Sequence, residues 1–524
     1  MCSATFRMVP VAKIPMGDET ELKFEVAPLD LRKLKAARAL HKGTPKEEDL
    51  VSFYFDTPKH KLAKNNVSLR VRHNGTKRLQ TIKAEEAGSS FRRGEWQHEI
   101  KADAPDLRKA HNTPLAPLLS KKLERKLKPI FETRVHRTRI RIRKNRSRVE
   151  VALDRGQIRS GRRAIPIGEL ELELKRGKAG DVFDVARKLT RLVPAKLSLK
   201  SKAERGYELI DDAPAQAVRA EKIKLRRGTS TADGFRIIGR SVLRQIAANE
   251  SAVDRMDPEG VHQMRVGLRR LRAAISVFSK LFGDEETERI KSELKWLTDE
   301  LAPARDLDVY ERDKVEPLRR DAPTDAGMEE LEDALASRRA AAFGRAKVAV
   351  DSPRYRSLLL DTLQWLEIGD WARRPRHDGV RPIERFAADI LTRRTRKAMR
   401  KAKRLRQLDT QQRHKLRIAI KKLRYATDFF EHLFVGRKAN AKKRLSRFKD
   451  CLGNLQDCLG ALNDIKVHQK LAPMLVTGTP RRNSRARAFA AGIVSGREQS
   501  EIEPLLDPAE VGARKFAHIR PFWI

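Results

Sequence analysis

Two acidic residues and a lysine at every second position, Glu19, Glu21 and Lys23, could do chemistry if they lie on a β-strand. Alternate side chains of a strand share a face, so all three would point the same way. Two carboxylates about 7 Å apart on one strand repel each other by roughly 2 kcal/mol at an effective dielectric constant near 20. On a solvated face this repulsion would mean little. Inside a barrel it would require cations, and it therefore predicts a metal site.

A second acidic run lies far downstream, where residues 169–175 alternate glutamate with leucine. A strand with this alternation packs its leucines against a core and turns Glu169, Glu171 and Glu173 to the opposite face. Other short segments before residue 212 alternate in the same way, and turn signals such as Asn74-Gly75 separate them. These segments predict strands at 51–55, 68–72, 79–83, 95–100, 137–143 and 148–154.

Seven or eight short antiparallel strands predict a closed barrel, and the stretches 29–40 and 182–192 predict helices that cover it. Covering the apolar faces leaves the charged faces inside, which reverses the usual arrangement of a soluble barrel. An empty interior of this kind is unfavourable, because each unpaired buried charge costs several kcal/mol. A carboxylate-bound metal and a phosphate chain bound by arginine and lysine would neutralise both sets of charges.

The residues of this half resemble the CYTH domain of the triphosphate tunnel metalloenzymes. The resemblance implies an α+β fold, an eight-stranded antiparallel β tunnel with covering helices, which binds a linear triphosphate together with Mg²⁺ or Mn²⁺. The motifs that carry it stand in the family's order: Glu19-x-Glu21-x-Lys23, Tyr54-Phe55-Asp56-Thr57-Pro58, Leu69-Arg70-Val71-Arg72, Gly94-Glu95-Trp96, Glu169-x-Glu171-x-Glu173 and Ser201-Lys202-Ala203-x-Arg205-Gly206-Tyr207.

Carried over to the matching positions, the resemblance implies three overlapping sets of site residues. The metal ligands would be Glu19, Glu21, Asp154, Glu169, Glu171 and Glu173, with Glu150 a further acidic candidate. The phosphate-binding residues would be Lys23, Arg70, Arg72, Lys83, Arg137, Arg139 and Lys202. The catalytic residues would be Glu19, Glu21, Lys23, Asp154 and Glu171. One metal would polarise the phosphates, while a second, with nearby carboxylates, activates water for attack on the end phosphorus.

Other polar and aromatic residues near these motifs are expected to have structural or surface roles. Tyr54 and Trp96 are expected to pack in the core. Arg141 and Arg143 are interpreted as exposed basic surface, and Glu95 as a surface residue beside a turn.

The composition independently indicates a polyanionic partner. The chain has 524 residues, with 114 Lys and Arg against 70 Asp and Glu, and a formal net charge of +44. Such an excess favours nucleic acid, an anionic membrane or polyphosphate as the partner. The aromatic content of 6% leaves few stacking platforms for single-stranded nucleic acid. The three cysteines fit no disulfide or zinc spacing, and no apolar run suits a membrane span or a signal peptide, so we expect a cytoplasmic protein with no membrane partner.

Helical periodicity replaces the strand pattern from about residue 230, and this half of the chain repeats itself. Its basic motif recurs 152 residues later, from His262 to His414. In each copy the basic residues form a stripe beside an apolar stripe of the predicted helix. The two motifs are His262-x-x-Arg265-x-x-x-Arg269-Arg270-x-Arg272 and His414-x-x-Arg417-x-x-x-Lys421-Lys422-x-Arg424.

This half resembles the CHAD domain, a duplicated helical domain associated with inorganic polyphosphate. The resemblance implies an all-α domain of two four-helix bundles whose basic stripes line a shared surface. The polyphosphate-binding residues would be His262, Arg265, Arg269, Arg270, Arg272, His414, Arg417, Lys421, Lys422 and Arg424. We predict a CYTH domain at 17–212, a linker at 213–229 and a CHAD domain at 230–515, with repeats at about 230–375 and 380–515.

A CYTH domain followed by a CHAD domain resembles the build of bacterial inorganic triphosphatases. The predicted function is metal-dependent hydrolysis of inorganic triphosphate in the tunnel. The helical domain would bind polyphosphate and bring the protein to polyphosphate granules. Two alternatives stay open: hydrolysis of thiamine triphosphate or cyclisation of ATP within the same fold, and a non-catalytic polyphosphate-binding protein. Nucleic acid is a less favoured partner of the basic helical domain.

Overall fold

The computed structural model describes residues 20–41, 43–84, 94–211, 216–321, 326–373, 377–436, 440–476 and 484–524. The predicted site residue Glu19 lies outside these ranges. The described residues fold as two compact units. The first unit runs to residue 194 and includes 200–211, and the second contains 195–199 and the described residues from 216 onward. The predicted linker, as far as it is described, lies within the second unit.

Eight strands of the first unit form one antiparallel sheet, which confirms the predicted class of this domain. Every strand segment predicted from alternation falls within one of them, and β2, β6, β7 and β8 run to between 12 and 17 residues. The strands are β1 (Thr20–Val26), β2 (Pro45–Asp56), β3 (Val67–Asn74), β4 (Lys77–Ala84), β5 (Gly94–Ile100), β6 (Lys128–Lys144), β7 (Ser147–Ser160) and β8 (Arg163–Arg176). Their order in the sheet is β5-β4-β3-β2-β6-β7-β8-β1.

Helices and short turns cover the apolar face of this sheet. Leu170 and Leu172 are fully buried, and the helices α1 (Asp30–Lys35) and α3 (Ala179–Thr190) pack against β8. Both coincide with the helices that the sequence predicts, although α1 is shorter. Over β3 and β4 the cover consists of α2 (Lys121–Glu124) and the 3₁₀ helices Leu107–Ala110 and Ala116–Leu118, with a further 3₁₀ helix at Ala63–Asn65.

A helix that the sequence reading does not predict, α4 (Lys202–Ile210), packs against β6 and β7. It begins with a capping box, in which the Ser201 and Glu204 side chains each accept a hydrogen bond from the other residue's backbone N–H. Gly206 lies so close to Phe131 that a Cβ there would meet the ring at 2.2 Å. The Tyr207 hydroxyl donates to Asp56 at 2.8 Å. These contacts fix the first turn of α4, and with it the side chain of Lys202.

The second unit is helical, which confirms the predicted all-α class. It contains one short strand, β9 (Ala195–Leu197), and no described helix combines the length and apolarity that a membrane span requires. Its α-helices are α5 (Thr231–Ala248), α6 (Glu250–Asp254), α7 (Pro258–Val277), α8 (Glu285–Glu300), α9 (Ala302–Tyr310), α10 (Glu316–Asp321), α11 (Ala326–Asp351), α12 (Pro353–Ile368), α13 (Asp370–Arg373), α14 (His377–Val380), α15 (Ile383–Ala402), α16 (Thr410–Phe430), α17 (Ala441–Val476), α18 (Ser484–Ser500) and α19 (Ile502–Ala517). Short 3₁₀ helices lie at Ser279–Leu281, Leu405–Gln407 and Glu431–Leu433, and a π-helix lies at Glu311–Val315.

The helices of this unit form two four-helix arrangements. In the first, α5 and α8 each pack against α7 and α12. In the second, α15 and α17 each pack against α16 and α19. The first residues of α7 and α16, Pro258 and Thr410, are separated by the same 152 residues as the two histidine motifs. The duplication that the sequence predicts is therefore also a duplication of packing.

Candidate active site

Three buried carboxylates meet on the charged face of the sheet and are called here the acidic cluster: Asp154, Glu169 and Glu171. Asp154 on β7 lies directly opposite Glu169 on β8, and Glu171 follows two residues along β8. Ligand oxygens of all three lie within 4.8 Å of one another. Asp154 and Glu169 have no solvent-exposed surface, and Glu171 is 8% exposed. All three belong to the set of predicted metal ligands.

Lys202 reaches this acidic cluster from the first turn of α4. Its Nζ lies 2.8 Å from Asp154 Oδ2 and 2.8 Å from Glu171 Oε1, and it also donates to Glu169. One ammonium group therefore contacts all three carboxylates. The side chain is 8% exposed, so these contacts are shielded from water.

Three further cations complete the ring of charges around the acidic cluster. Arg137 donates to both oxygens of Asp154 at 2.7 Å and to Glu171 at 2.5 Å. Lys23 Nζ lies 3.0 Å from Glu171, and Arg205 donates to Glu169 at 2.8 Å. The sequence reading predicts Lys23 and Arg137 but misses Arg205, which lies one helical turn after Lys202 and so extends from the same region of α4.

The opposing charges hold one another in the ionised state. Burial raises the pKa of Glu171, but Lys202, Lys23 and Arg137 together hold it well below its usual value. Burial would also raise the pKa of Asp154, but the pKa is lowered, and Lys202 is the main cause of the lowering. Burial would lower the pKa of Lys202, but Asp154 and Glu169 raise it above its usual value. Three carboxylates and four cations therefore share one buried region at neutral pH.

A second group of carboxylates, Glu21, Glu150 and Glu173, lies further along the same strands. Glu173 is the register partner of both Glu21 on β1 and Glu150 on β7. Burial raises the pKa of Glu173, and the neighbouring carboxylates raise it further, although Lys175 pairs with it at 2.5 Å. Each of the three carboxylates also has a basic neighbour: Lys23 for Glu21, Arg141 for Glu150 and Lys175 for Glu173.

Both groups of carboxylates suit a hard divalent cation. Magnesium and manganese prefer carboxylate oxygens over nitrogen or sulfur ligands. In the acidic cluster the carboxylate oxygens are close enough together to bind one ion. In this structure Lys202 and Arg137 donate hydrogen bonds to these oxygens instead. The second group offers three carboxylates in register on adjacent strands. The donor chemistry on this face therefore fits a metal-dependent site.

Two half-buried arginines on β3, Arg70 and Arg72, face the same interior. Arg72 donates to Ser52 at 3.2 Å, and among the described residues no carboxylate forms an ion pair with it. Burial, together with the charges of Arg70 and Arg137, lowers the pKa of Arg72 to about 9. Glu171 on β8 raises the pKa of Arg72, so the two residues lie near each other. Three strands, β2, β6 and β7, nevertheless lie between β3 and β8 in the sheet. The sheet therefore curls, and its charged face lines the inside of a tunnel-like fold.

The remaining predicted phosphate-binding residues have carboxylate partners of their own. Lys83 lies 2.7 Å from Glu95, and Arg70 lies 3.6 Å from the same carboxylate. Burial opposes ionisation of Glu95, but Lys83 and Arg70 lower its pKa to about 2. Arg139 donates to Glu48 at 2.6 Å. Glu95 is therefore a buried partner of these cations and not a surface residue beside a turn.

The two basic motifs of the helical unit meet at a shared surface. Arg265 lies 3.6 Å from Asp306, and Arg417 lies 3.6 Å from Asp464, which repeats one ion pair in both copies. Burial, Arg417 and Arg269 lower the pKa of Lys421 to about 7. Since Arg269 comes from the first copy and Lys421 from the second, the two stripes lie close enough to repel each other.

The other predicted polyphosphate-binding residues lie at different distances from this surface. Arg272 and Lys422 repel each other and form a group with Arg394 and Lys397 of α15, which the sequence reading does not single out. Arg270 lies in the core, where it donates to Gln245 at 2.6 Å and lies over the ring of Phe429. Arg424 is half-buried at the side of α16.

The two histidines of the motifs are not equivalent. Burial and the nearby Arg305 lower the pKa of His262 to about 4, so its imidazole is neutral at physiological pH. His414 is exposed, and its Nδ1 lies 2.7 Å from Asn463 Oδ1. Among the described residues, no group of three potential metal ligands includes either histidine.

Comparison with known families agrees with both resemblances. Residues 17–207 match the family model described as CYTH domain, and residues 238–473 match the one described as CHAD domain. An inorganic triphosphatase of Haemophilus influenzae is 32% identical over 201 residues, which make up 37% of this chain and 55% of that relative. The match therefore spans little more than half of the relative's length.

Solved structures resemble each half of the chain. A CHAD domain from the plant Ricinus communis covers 57% of this chain and 96% of its own, with 29% identity and a TM-score of 0.49. A putative adenylyl cyclase from Hippeastrum, described as having a dominant triphosphatase activity, covers 36% of this chain and 95% of its own. Its identity to this chain is 15% and its TM-score is 0.28.

Proposed function

We propose that this chain, which consists of a CYTH domain followed by a CHAD domain, hydrolyses inorganic triphosphate inside the curled sheet. The observation that carries the proposal is Arg72, a half-buried arginine without a carboxylate partner among the described residues. A cation withdrawn from water in this way is unfavourable unless an anion neutralises it. Its neighbours Arg70 and Arg137 extend the positive charge, as binding of a linear chain of phosphates requires.

The reaction transfers the end phosphoryl group of triphosphate to water. The bridging P–O bond breaks, pyrophosphate leaves and inorganic phosphate is released. Arg72, Arg137 and Lys202 would hold the phosphate oxygens and stabilise the charge that develops on the leaving group. Asp154, Glu171 and Glu21 would hold Mg²⁺ or Mn²⁺, which supplies Lewis-acid polarisation of the phosphates and lowers the pKa of the attacking water when bound.

The contacts of the acidic cluster suggest how substrate and metal enter together. The carboxylates and cations neutralise one another in this structure. A metal ion would replace Lys202 and Arg137 as partners of the carboxylates and leave these cations for the phosphates. The exchange keeps every buried charge paired, which a buried site requires.

Inorganic triphosphate is the favoured substrate for two reasons. The relative from Haemophilus influenzae that matches the CYTH half is described as an inorganic triphosphatase. Two aromatic residues on the same face of the sheet, Tyr54 and Phe131, are each only 4% exposed, so neither offers a free ring for a base or a thiazole to stack on. Thiamine triphosphate hydrolysis, ATP cyclisation and non-catalytic binding are the alternatives.

The helical unit would bind inorganic polyphosphate. Buried Nε groups of Arg269 and Arg417 lack hydrogen-bond partners, and both belong to the surface where the two copies meet. Repeating phosphate oxygens would satisfy such donors without any base-specific contact. This binding would bring the protein to polyphosphate granules, with nucleic acid as the competing polyanion.

A substrate screen with the purified full chain tests the proposal. Triphosphate, ATP, thiamine triphosphate and long-chain polyphosphate are each incubated with Mg²⁺ or Mn²⁺, and the products are separated. We expect phosphate and pyrophosphate from triphosphate at the highest kcat/KM. Cyclic AMP as the main product, or folded protein with no turnover, would contradict the proposal. Competition between polyphosphate and duplex DNA at fixed salt tests the helical unit, and tighter binding of DNA would count against polyphosphate.

A further inference from the structure

Three arginines meet in register at one end of the charged face and are called here the arginine rim: Arg143, Arg148 and Arg176. Arg143 on β6 pairs with Arg148 on β7, and Arg148 pairs with Arg176 on β8. The register shifts between Arg148 and Val149, so that Lys175 and Arg176 both lie against Arg148. All of these basic residues are exposed. No carboxylate among the described residues forms an ion pair with the three arginines.

The fold does not require this row of like charges. Like charges directly opposite each other on neighbouring strands destabilise a sheet. The β6–β7 turn is held instead by Asn145, which donates to Asp181 at 2.6 Å, and by Ser147, which donates to the same carboxylate. The arginine rim is thus unfavourable for the sheet, and the β6–β7 turn does not depend on it. This combination points to an external anion as the partner of the three arginines.

The arginine rim lies at the open end of the charged face. Along β6 the exposed fraction of the side chain falls from 76% at Arg141 to 26% at Arg139 and 18% at Arg137. Along β7 the residues change in the same direction from the exposed Arg148 to the fully buried Asp154. The buried end is the one that Lys202 reaches from α4. An anion entering the site from this open end therefore passes the arginine rim.

Triphosphate bound deep in the site does not extend to the arginine rim. Arg143 lies six residues from Arg137 along β6, about 20 Å at roughly 3.3 Å per residue. Between them, Arg141 is engaged by Glu150 at 2.9 Å. A linear phosphate that contacts Arg137 and the rim together must therefore contain more than three phosphates.

We infer that the arginine rim is an outer binding site for linear phosphate chains longer than triphosphate. Its three guanidinium groups bind the phosphates that project from the open end while the chain end occupies the buried site. The inference rests on the proposed function and extends its substrate class from triphosphate to longer linear polyphosphates.

The test compares triphosphate with a linear polyphosphate long enough to span about 20 Å, as substrates of the full chain. The variant is Arg143→Gln/Arg148→Gln/Arg176→Gln. The matched control is Arg155→Gln/Arg159→Gln/Arg162→Gln, which removes the same charge from exposed positions on β7 and on its turn to β8. Hydrolysis kinetics report only on the tunnel, so polyphosphate bound by the helical unit does not enter the readout.

We expect the rim variant to lose at least about 10-fold more kcat/KM on the longer polyphosphate than on triphosphate, mainly through KM. The control variant should change both values by a common factor. An equal loss on both substrates in the rim variant would mean that the rim only steers anions, and it would overturn the inference, as would no loss at all. The melting temperature should not fall, because the variant removes repulsion between strands.

Failure of the proposed function is distinguishable from failure of this inference. If the wild-type chain hydrolyses neither substrate, the proposed function fails. Calorimetric titration of the longer polyphosphate and of triphosphate into wild type and rim variant then tests the rim by the difference between the two proteins, because the helical unit is the same in both. Equal relative affinities in the two proteins would overturn it.

Discussion

Lys202 Nζ lies 2.8 Å from Glu171 Oε1, and the same ammonium group also contacts Asp154 and Glu169. Burial would lower the pKa of this lysine, yet the carboxylates raise it above its usual value. The interaction therefore keeps both partners charged in a region from which water is excluded. We therefore expect the stability of the curled sheet to depend on this one residue of α4.

Replacement of Lys202 by methionine should destabilise the protein and make its stability depend on metal. Lys202→Met leaves three buried carboxylates without their shared cation, a loss of about 3–5 kcal/mol in the free energy of unfolding. Added Mg²⁺ should restore part of it, since the freed oxygens suit a divalent cation. Urea denaturation with and without Mg²⁺ measures both effects. Lys200→Met is the control, because its partner Glu208 is exposed and such surface pairs contribute at most about 1 kcal/mol.

Replacement of Arg72 by methionine should have the opposite effect on stability. Arg72→Met removes an unpaired, half-buried cation, so the free energy of unfolding in phosphate-free buffer should rise by about 1 kcal/mol. The KM for triphosphate should rise at least about 10-fold, because charge-assisted hydrogen bonds to phosphate are lost. Arg137→Met is the comparison, since it removes the partner of Asp154 and Glu171 and should lower stability. A loss of stability in Arg72→Met as large as that in Arg137→Met would contradict the assignment of Arg72 as the unpaired cation.

Replacement of Gly206 by alanine should displace α4 and impair the site through Lys202. The added Cβ would meet the Phe131 ring at 2.2 Å, so the helix has to move. Overpacking of this kind costs about 1–3 kcal/mol, and kcat/KM should fall further than the stability loss explains because Lys202 shifts with the helix. The control is Gly344→Ala, where a Cβ meets nothing within 4 Å. Unchanged kcat/KM in Gly206→Ala would show that α4 does not position the site.

Binding of polyphosphate to the helical unit should take up a proton near neutral pH. The pKa of Lys421 is lowered to about 7, chiefly by burial and then by Arg417 and Arg269, so the free lysine is only partly charged. A bound polyanion favours the charged form, so affinity should decrease as the pH rises above 7. Calorimetry in buffers of different ionisation enthalpy measures the proton uptake, and Lys421→Arg should abolish it.

The same pKa shift makes the stability of the protein depend on pH. The unfolded chain retains the proton on Lys421 up to the ordinary pKa, whereas the folded chain releases it near pH 7. Between these values the unfolded state binds more protons, so the contribution of this lysine to stability rises with pH. Equal pH dependence of unfolding in the wild type and Lys421→Arg would contradict this assignment.

The elements with strong local patterns could be predicted from the sequence. Alternation identifies the strand of Glu169 and Glu171 because side chains two residues apart share a face. The helical stripe of Arg265 and Arg269 follows from the 3.6-residue period, and the duplication follows from the recurrence of its motif.

Contacts between distant segments could not be predicted in this way. The pairings of Arg139 with Glu48 and of Lys83 with Glu95 depend on strand register and rotamer, which no local pattern specifies. Arg270 shares its motif with Arg269, yet it lies in the core because neighbouring helical residues point about 100° apart. The role of Arg205 depends on α4, a helix of nine residues whose only local signal is its capping box.

Release of phosphate from inorganic triphosphate in the presence of Mg²⁺ or Mn²⁺ tests the central claim most directly. We predict metal-dependent turnover by the wild-type chain. Glu171→Gln should reduce it by at least about 100-fold, because it removes a charge that contacts Lys202 and that would hold the metal. Folded wild-type protein that releases no phosphate, or a Glu171→Gln variant that keeps full activity, would contradict the account.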